Sequence, residues 1–109
     1  MFAGTKIKIG EEEFVIPPLS LGQLRNGAMT KLQEHDILVA EGKTFEAMTI
    51  RGDIILAALQ RNYPDFDGAK LFAWLDLSNI NGIWLNVLGA SGFTPGETQA
   101  VETATVNGI

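Results

Sequence analysis

Cysteine is absent from this 109-residue chain. Disulfide bonds, thiolate metal ligands and a cysteine nucleophile are therefore excluded, and the redox compartment is left undetermined. The only histidine is His35, too little on its own for a transition-metal site. Cations are sparse as well: eight Lys and Arg stand against thirteen Asp and Glu, the net charge is −5, and no cation follows Lys70. Nucleic-acid binding relies on clustered Lys and Arg, and here they are scattered singly, so no nucleic-acid partner is expected. The longest apolar run is the six residues from Ile54 to Leu59, where a membrane span needs about 20. The start Met-Phe-Ala-Gly-Thr-Lys lacks the apolar core of a signal peptide. The expectation is a soluble cytoplasmic protein with no membrane partner. Glycine-rich phosphate loops of the Gly-x-x-x-x-Gly-Lys-Ser/Thr or Gly-x-Gly-x-x-Gly type do not occur, and no repeat appears at solenoid periods.

With 46% hydrophobic and 19% charged residues, the chain is too apolar to stay disordered throughout, and its length fits one domain. A domain of this size leaves much surface unburied, so self-association or a partner protein is expected.

Lys6-Ile-Lys-Ile9 alternates with period two, Gly10-Glu11 offers a turn, and Glu12 to Ile16 resumes the extended pattern. This predicts an antiparallel hairpin. Its Ile7, Ile9, Phe14 and Ile16 require an apolar surface to rest on. The stretch Glu13-Phe-Val-Ile-Pro-Pro-Leu-Ser-Leu-Gly-Gln-Leu24 then combines a strand exit, a rigid double-proline corner and a helix start. The residue before proline is pushed from the helical region, and Ser20 with Gln23 has the spacing of a capping box. Leu19 and Leu24 stand where a hydrophobic staple would form.

Leu21, Leu24, Ala28 and Leu32 recur at helical spacing, with Gly27 weakening the middle by about 1 kcal/mol, and Ile37, Leu38 and Val39 extend that helix. Thr44 is the expected N-cap of a second helix, whose Phe45, Met48, Ile54, Ile55, Ala58 and Leu59 form a broad apolar stripe. Pro64 stops it. Asp67 caps a third helix carrying Leu71, Phe72, Trp74 and Leu75. Ser78 or Asn79 caps a fourth, carrying Ile80, Ile83, Trp84, Val87 and Leu88, which Gly89 or Gly92 closes. The predicted fold is mainly α, a small bundle of about four helices with a short N-terminal β-hairpin. It forms a single domain over residues 1–92, with a flexible tail over 93–109 that is rich in small residues and lacks positive charge.

Chemistry is thinly represented. His35-Asp36 pairs the lone imidazole with a carboxylate, but adjacent residues on a helix do not converge on a substrate, and a surface helix end is the expected setting. Asp65, Asp67 and Asp76 lack the loop pattern of a calcium site. Gly89-Ala-Ser-Gly92 is not Gly-x-Ser-x-Gly and follows a helix instead of a strand, so a helix C-cap is expected there. No cofactor or metal is called for. The acids Glu11-Glu12-Glu13 read as a solvated hairpin tip. Trp74 and Trp84, with Phe72 and Tyr63, concentrate aromatic surface in one third of the chain; core is their expected place, with an interaction hot spot as the alternative. Phe93, Val101, Val106 and Ile109 are harder to place in a core and are candidates for contact with another molecule.

The order of these pieces, with "PPLSLGQL" at the corner, "LQRNYPD" ending a helix, "LDLSNI" starting one and "LGASG" finishing it, resembles the small tail assembly chaperones of long-tailed bacteriophages and prophages over roughly residues 6–92. That resemblance implies a non-enzymatic protein of the host cytoplasm that coats the long, aggregation-prone tape measure protein. It implies displacement as tail tube subunits polymerise, and absence from the mature virion. In many such phages a programmed frameshift appends a second domain that recruits the tail tube protein, and the sparse composition after Phe93 is what such a junction would look like. A holdase of this kind needs an exposed apolar face, a negative net charge and no active site. The residues assigned to partner contact are Leu24, Leu32, Phe45, Met48, Leu71, Trp74 and Trp84. Two alternatives stand beside it. One is a structural virion protein, such as a tail completion or connector subunit. The other is a small hydrolase or regulatory domain, for which His35, Asp36 and Ser91 would be the only conceivable centre.

Overall fold

A computed structural model describes residues 1–92; the expected tail and its Phe93, Val101, Val106 and Ile109 lie outside the described residues. Strands β1 (Thr5–Ile9) and β2 (Glu12–Ile16) pair antiparallel across the Gly10-Glu11 turn, with Ile7 opposite Phe14 and Thr5 opposite Ile16. Because side chains alternate along a strand, this register puts Ile7, Ile9, Phe14 and Ile16 on one face, and that face packs into the core. The helices are a single turn α1 (Leu21–Gln23), then α2 (Met29–Ala40), α3 (Thr44–Gln60), α4 (Gly68–Trp74) and α5 (Ile80–Ala90). The molecule is thus mainly helical with an N-terminal hairpin, as its sequence pattern predicts.

Helix α3 is the spine: Ile54, Ile55, Ala58 and Leu59 are buried along it, and α2, α4, α5 and β2 all lie against it. Each isoleucine or leucine so enclosed contributes roughly 1.5–3 kcal/mol. The predicted capping box is present: Ser20 Oγ accepts from the Gln23 N–H at 3.0 Å, and Gln23 Oε1 accepts from the Ser20 N–H at 2.9 Å. Gln23 Nε2 also donates to the Ala57 carbonyl at 2.7 Å, so one side chain closes a helix start and ties it to the spine.

Two more of the distinctive sequence pieces, the ends of α3 and α5, meet at the same corner. Arg61 Nη1 donates to the Pro18 carbonyl at 2.8 Å, Asn62 Nδ2 donates to the Val15 carbonyl at 3.0 Å, and Tyr63 Oη accepts from the Val15 N–H at 2.9 Å. Ser91 Oγ accepts from the Leu19 N–H at 2.9 Å. Phe14 stands edge-on to Tyr63 and Phe66, centroids 5.2 and 5.0 Å away, the favoured arrangement for aromatic quadrupoles. The proline corner and the ends of α3 and α5 therefore act as joints that fix the hairpin on the helices.

Three local expectations require correction. The first helix is not continuous: Leu24–Ala28 forms a π turn with Asn26 and Gly27 outside helical dihedrals, Gly27 at φ 133°. Glycine alone adopts that φ without strain. Such a turn holds one extra residue, worth about 100° of rotation, so Leu21 faces solvent while Leu32 faces the core. Second, Lys43 and not Thr44 occupies the N-cap of α3, without a side-chain capping bond. The N–H groups of Gly42 and Lys43 instead close α2 on the Val39 and Leu38 carbonyls, the bonding of a Schellman motif, so one short link ends α2 and starts α3. Third, His35 and Asp36 are buried, not at a surface helix end; Asp36 pairs with His35 beside it, and the imidazole's other nitrogen meets Arg51 of α3.

Candidate functional site

The α4–α5 link builds an exposed apolar feature. Asp67 caps α4 by accepting from the Ala69 N–H at 3.0 Å, and the chain leaves the helix at Leu75 with ψ 134°. Asp76 Oδ1 then accepts from the Ser78 N–H at 2.8 Å, the Ser78 hydroxyl at 2.6 Å and the Asn79 N–H at 3.1 Å. Asn79 returns the bond, with Oδ1 accepting from the Asp76 N–H at 2.9 Å and Nδ2 donating to the Trp74 carbonyl. The Ser78 hydroxyl and backbone hold the Asp76 carboxyl below its ordinary pKa by bonding the charged form. Asp76 and Asn79 thus brace the link through each other, and Leu77 between them is held outward with 76% of its surface exposed.

Across from Leu77, the first turns of α3 present Phe45, 77% exposed, and Met48. Between them runs a groove of about 350 Å³, floored by Gly52, Leu75 and Ile80 and walled by Phe72. Gly52 lets the Phe72 ring approach closely: a Cβ there would stand 2.6 Å from Phe72 Cζ, so the ring would have to shift. Among the described residues, the groove is lined by apolar groups apart from Thr49 and Asp76, and no Lys or Arg lines it.

The seven residues assigned to partner contact divide. Phe45 and Met48 line the groove. Leu24 and Trp74 are half-buried and pack against the core from outside it. Leu32 and Leu71, each 0% exposed, and Trp84, 5% exposed, are core: in the folded monomer they offer no surface to a partner. Helical spacing found the apolar faces but could not separate their buried from their open ends. Leu77 and Gly52 went unassigned, and Phe72, whose expected place was the core, is instead 40% exposed and lines the groove. The available signals were a leucine set among capping residues and a glycine inside a strong helix.

His35, Asp36 and Arg51 form a second cluster, bridging α2, α3 and α5. Arg51 Nε donates to His35 Nε2 at 2.8 Å, and Arg51 Nη1 donates to Asn81 Oδ1 at 2.7 Å. Guanidinium has only donors, so Nε2 must accept, and the ring proton sits on Nδ1, 3.0 Å from Asp36 Oδ1. The imidazole is therefore neutral. Burial lowers its pKa from 6.5 and nearby Arg51 lowers it further, against the opposing hydrogen bond and charge of Asp36. The ring also lies 4.9 Å from the Trp84 indole. Both ring nitrogens are committed, and Ser91 is engaged with Leu19, so the geometry ties three helices together and does not present a nucleophile to a base. Among the described residues no three His, Asp or Glu side chains converge as metal ligands do, and no helix is long and apolar enough to cross a membrane.

Comparison of the chain with protein-family models, with curated proteins and with solved structures gives no match, so the functional reading rests on the groove and on the residues that build it.

Proposed function

We propose that this protein is a non-catalytic tail assembly chaperone that binds the tape measure protein of a long-tailed phage or prophage through the groove between α3 and the α4–α5 link. The observation that carries this reading is the pairing of Phe45 and Leu77, each about three-quarters exposed, across an apolar groove whose rim is braced by the reciprocal hydrogen bonds of Asp76 and Asn79. Scattered single hydrophobes on a surface are ordinary, whereas a contiguous patch marks an interaction site. A groove of this kind takes the apolar face of an amphipathic helix, reading anchors at i, i+3 or i+4 and i+7. The net charge of −5 favours solubility of a loaded complex. In this reading the chain acts in the host cytoplasm and leaves before the virion matures. A frameshift-extended form would recruit the tail tube protein.

Co-expression with the adjacent tape measure protein tests the reading, with solubility and copy number followed by pull-down and light scattering. Many copies along a newly soluble partner support it. A partner that stays insoluble, together with this chain among the proteins of purified virions by mass spectrometry, would favour a tail completion or connector subunit instead.

A further inference from the structure

We infer that the groove selects a partner helix carrying lysine or arginine beside its aliphatic anchors, the cation seating against Asp76. This deepens the chaperone reading and rests on its assignment of the groove as the docking site. Three observations carry it. First, among the described residues Asp76 is the one charged side chain lining the groove. It is exposed, and its three accepted hydrogen bonds keep it fixed at the rim. Second, no cation competes for it within the lining; the neighbouring Lys43 is drawn to Glu41 at 3.4 Å, while Glu46, next to Phe45 in the first turn of α3, adds negative charge. Third, the open area fits a slender occupant. Phe45, Phe72 and Leu77 offer roughly 300–400 Å² if a full aromatic side chain carries about 150–250 Å², whereas a stable dimer face needs about 800 Å² per partner. A second copy seated here alone would fall short, while two or three side chains of one helix fill the space.

Complementary charge at an exposed rim adds little affinity, governs choice among similar partners and vanishes with salt. The test uses two 18-residue designed helical peptides with leucines at i, i+4 and i+7, identical except for Lys or Glu at the flanking positions. Binding is read by fluorescence anisotropy, and its place by amide NMR shifts at Phe45, Gly52 and Leu77. The Lys peptide should bind about two- to five-fold tighter at low ionic strength, and the difference should disappear at about 0.5 M salt. Asp76→Asn, which keeps the capping acceptor, should abolish the preference, while Glu11→Gln at the hairpin tip should leave it unchanged. Equal binding of both peptides in the groove, or a preference that survives Asp76→Asn, would overturn the inference and leave the groove as a docking site. Failure of both peptides to shift the groove resonances, while co-expression still solubilises the tape measure protein, would overturn it and place the contact elsewhere with the chaperone reading intact. Failure of both assays would remove the two together.

Discussion

Replacing Leu71 and Leu77 by alanine, one at a time, separates core from contact surface within six residues of chain. Leu71 is 0% exposed and belongs to the central cluster. Its truncation loses the transfer free energy of the removed carbons and leaves a cavity, together about 2–5 kcal/mol. Helix propensity changes little, since leucine and alanine are both strong helix formers. Leu77 lies outside the helices and is 76% exposed, so its truncation should change stability by no more than about 0.5 kcal/mol. At roughly 0.05–0.15 kcal/mol per residue, a fold of this size has about 5–14 kcal/mol in total, so Leu71→Ala removes a large share and Leu77→Ala almost none. With an unfolding entropy of about 2.1 cal/mol/K per residue, each kcal/mol shifts Tm by about 5 °C. Leu71→Ala should therefore melt about 10–25 °C lower, and Leu77→Ala within about 3 °C of the parent. Thermal melts followed by circular dichroism, with urea titrations at unchanged slope, measure both. Similar losses for the two variants, or a loss above about 1.5 kcal/mol for Leu77→Ala, would refute the division of these residues.

Other outcomes follow from single contacts. Gly52→Ala should gain about 1 kcal/mol of helix propensity only when Phe72 is also alanine; in the parent the displaced ring should cancel the gain, and equal effects in both backgrounds, measured by urea unfolding, would contradict the packing. Because burial favours neutral His35 and lowers its folded pKa, its stabilising contribution is complete above pH 6.5 and is lost as pH falls below that value. The slope is at most about 1.4 kcal/mol per pH unit, and urea titrations from pH 7.5 to 5.5 should show it in the parent and not in His35→Gln. Tyr63→Phe should cost about 1–2 kcal/mol by stranding the Val15 N–H, and amide exchange at Val15 should quicken before that of the α3 core.

Much of this fold is written locally. The hairpin register follows from a period-two pattern and a two-residue turn, and the capping box at Ser20 and the single cap at Asp67 follow from residues two or three positions apart. What the sequence conceals depends on distant partners. Burial of His35 is tolerable only because Arg51, on the next helix, and Asn81, on the last, complete the network through the guanidinium. The π turn at Gly27 rotates the helix start away from a spacing that reads as continuous. The groove was half legible: Phe45 and Met48 lie on a visible apolar stripe, but the outward hold on Leu77 depends on the reciprocal bonds of Asp76 and Asn79. Periodicity ranks residues by face and is silent on which part of a face a neighbouring helix covers.

The claim that this groove holds the tape measure protein is tested most directly by photo-crosslinking from within it. A benzophenone amino acid at Leu77 reports on the groove; one at Ile37, exposed on α2 and outside the groove lining, serves as the reference. Co-expressed with the tape measure protein and irradiated, the Leu77 probe should yield the crosslinked complex in high amount and the Ile37 probe little. Equal yields, or crosslinking from Ile37 alone, would contradict the account.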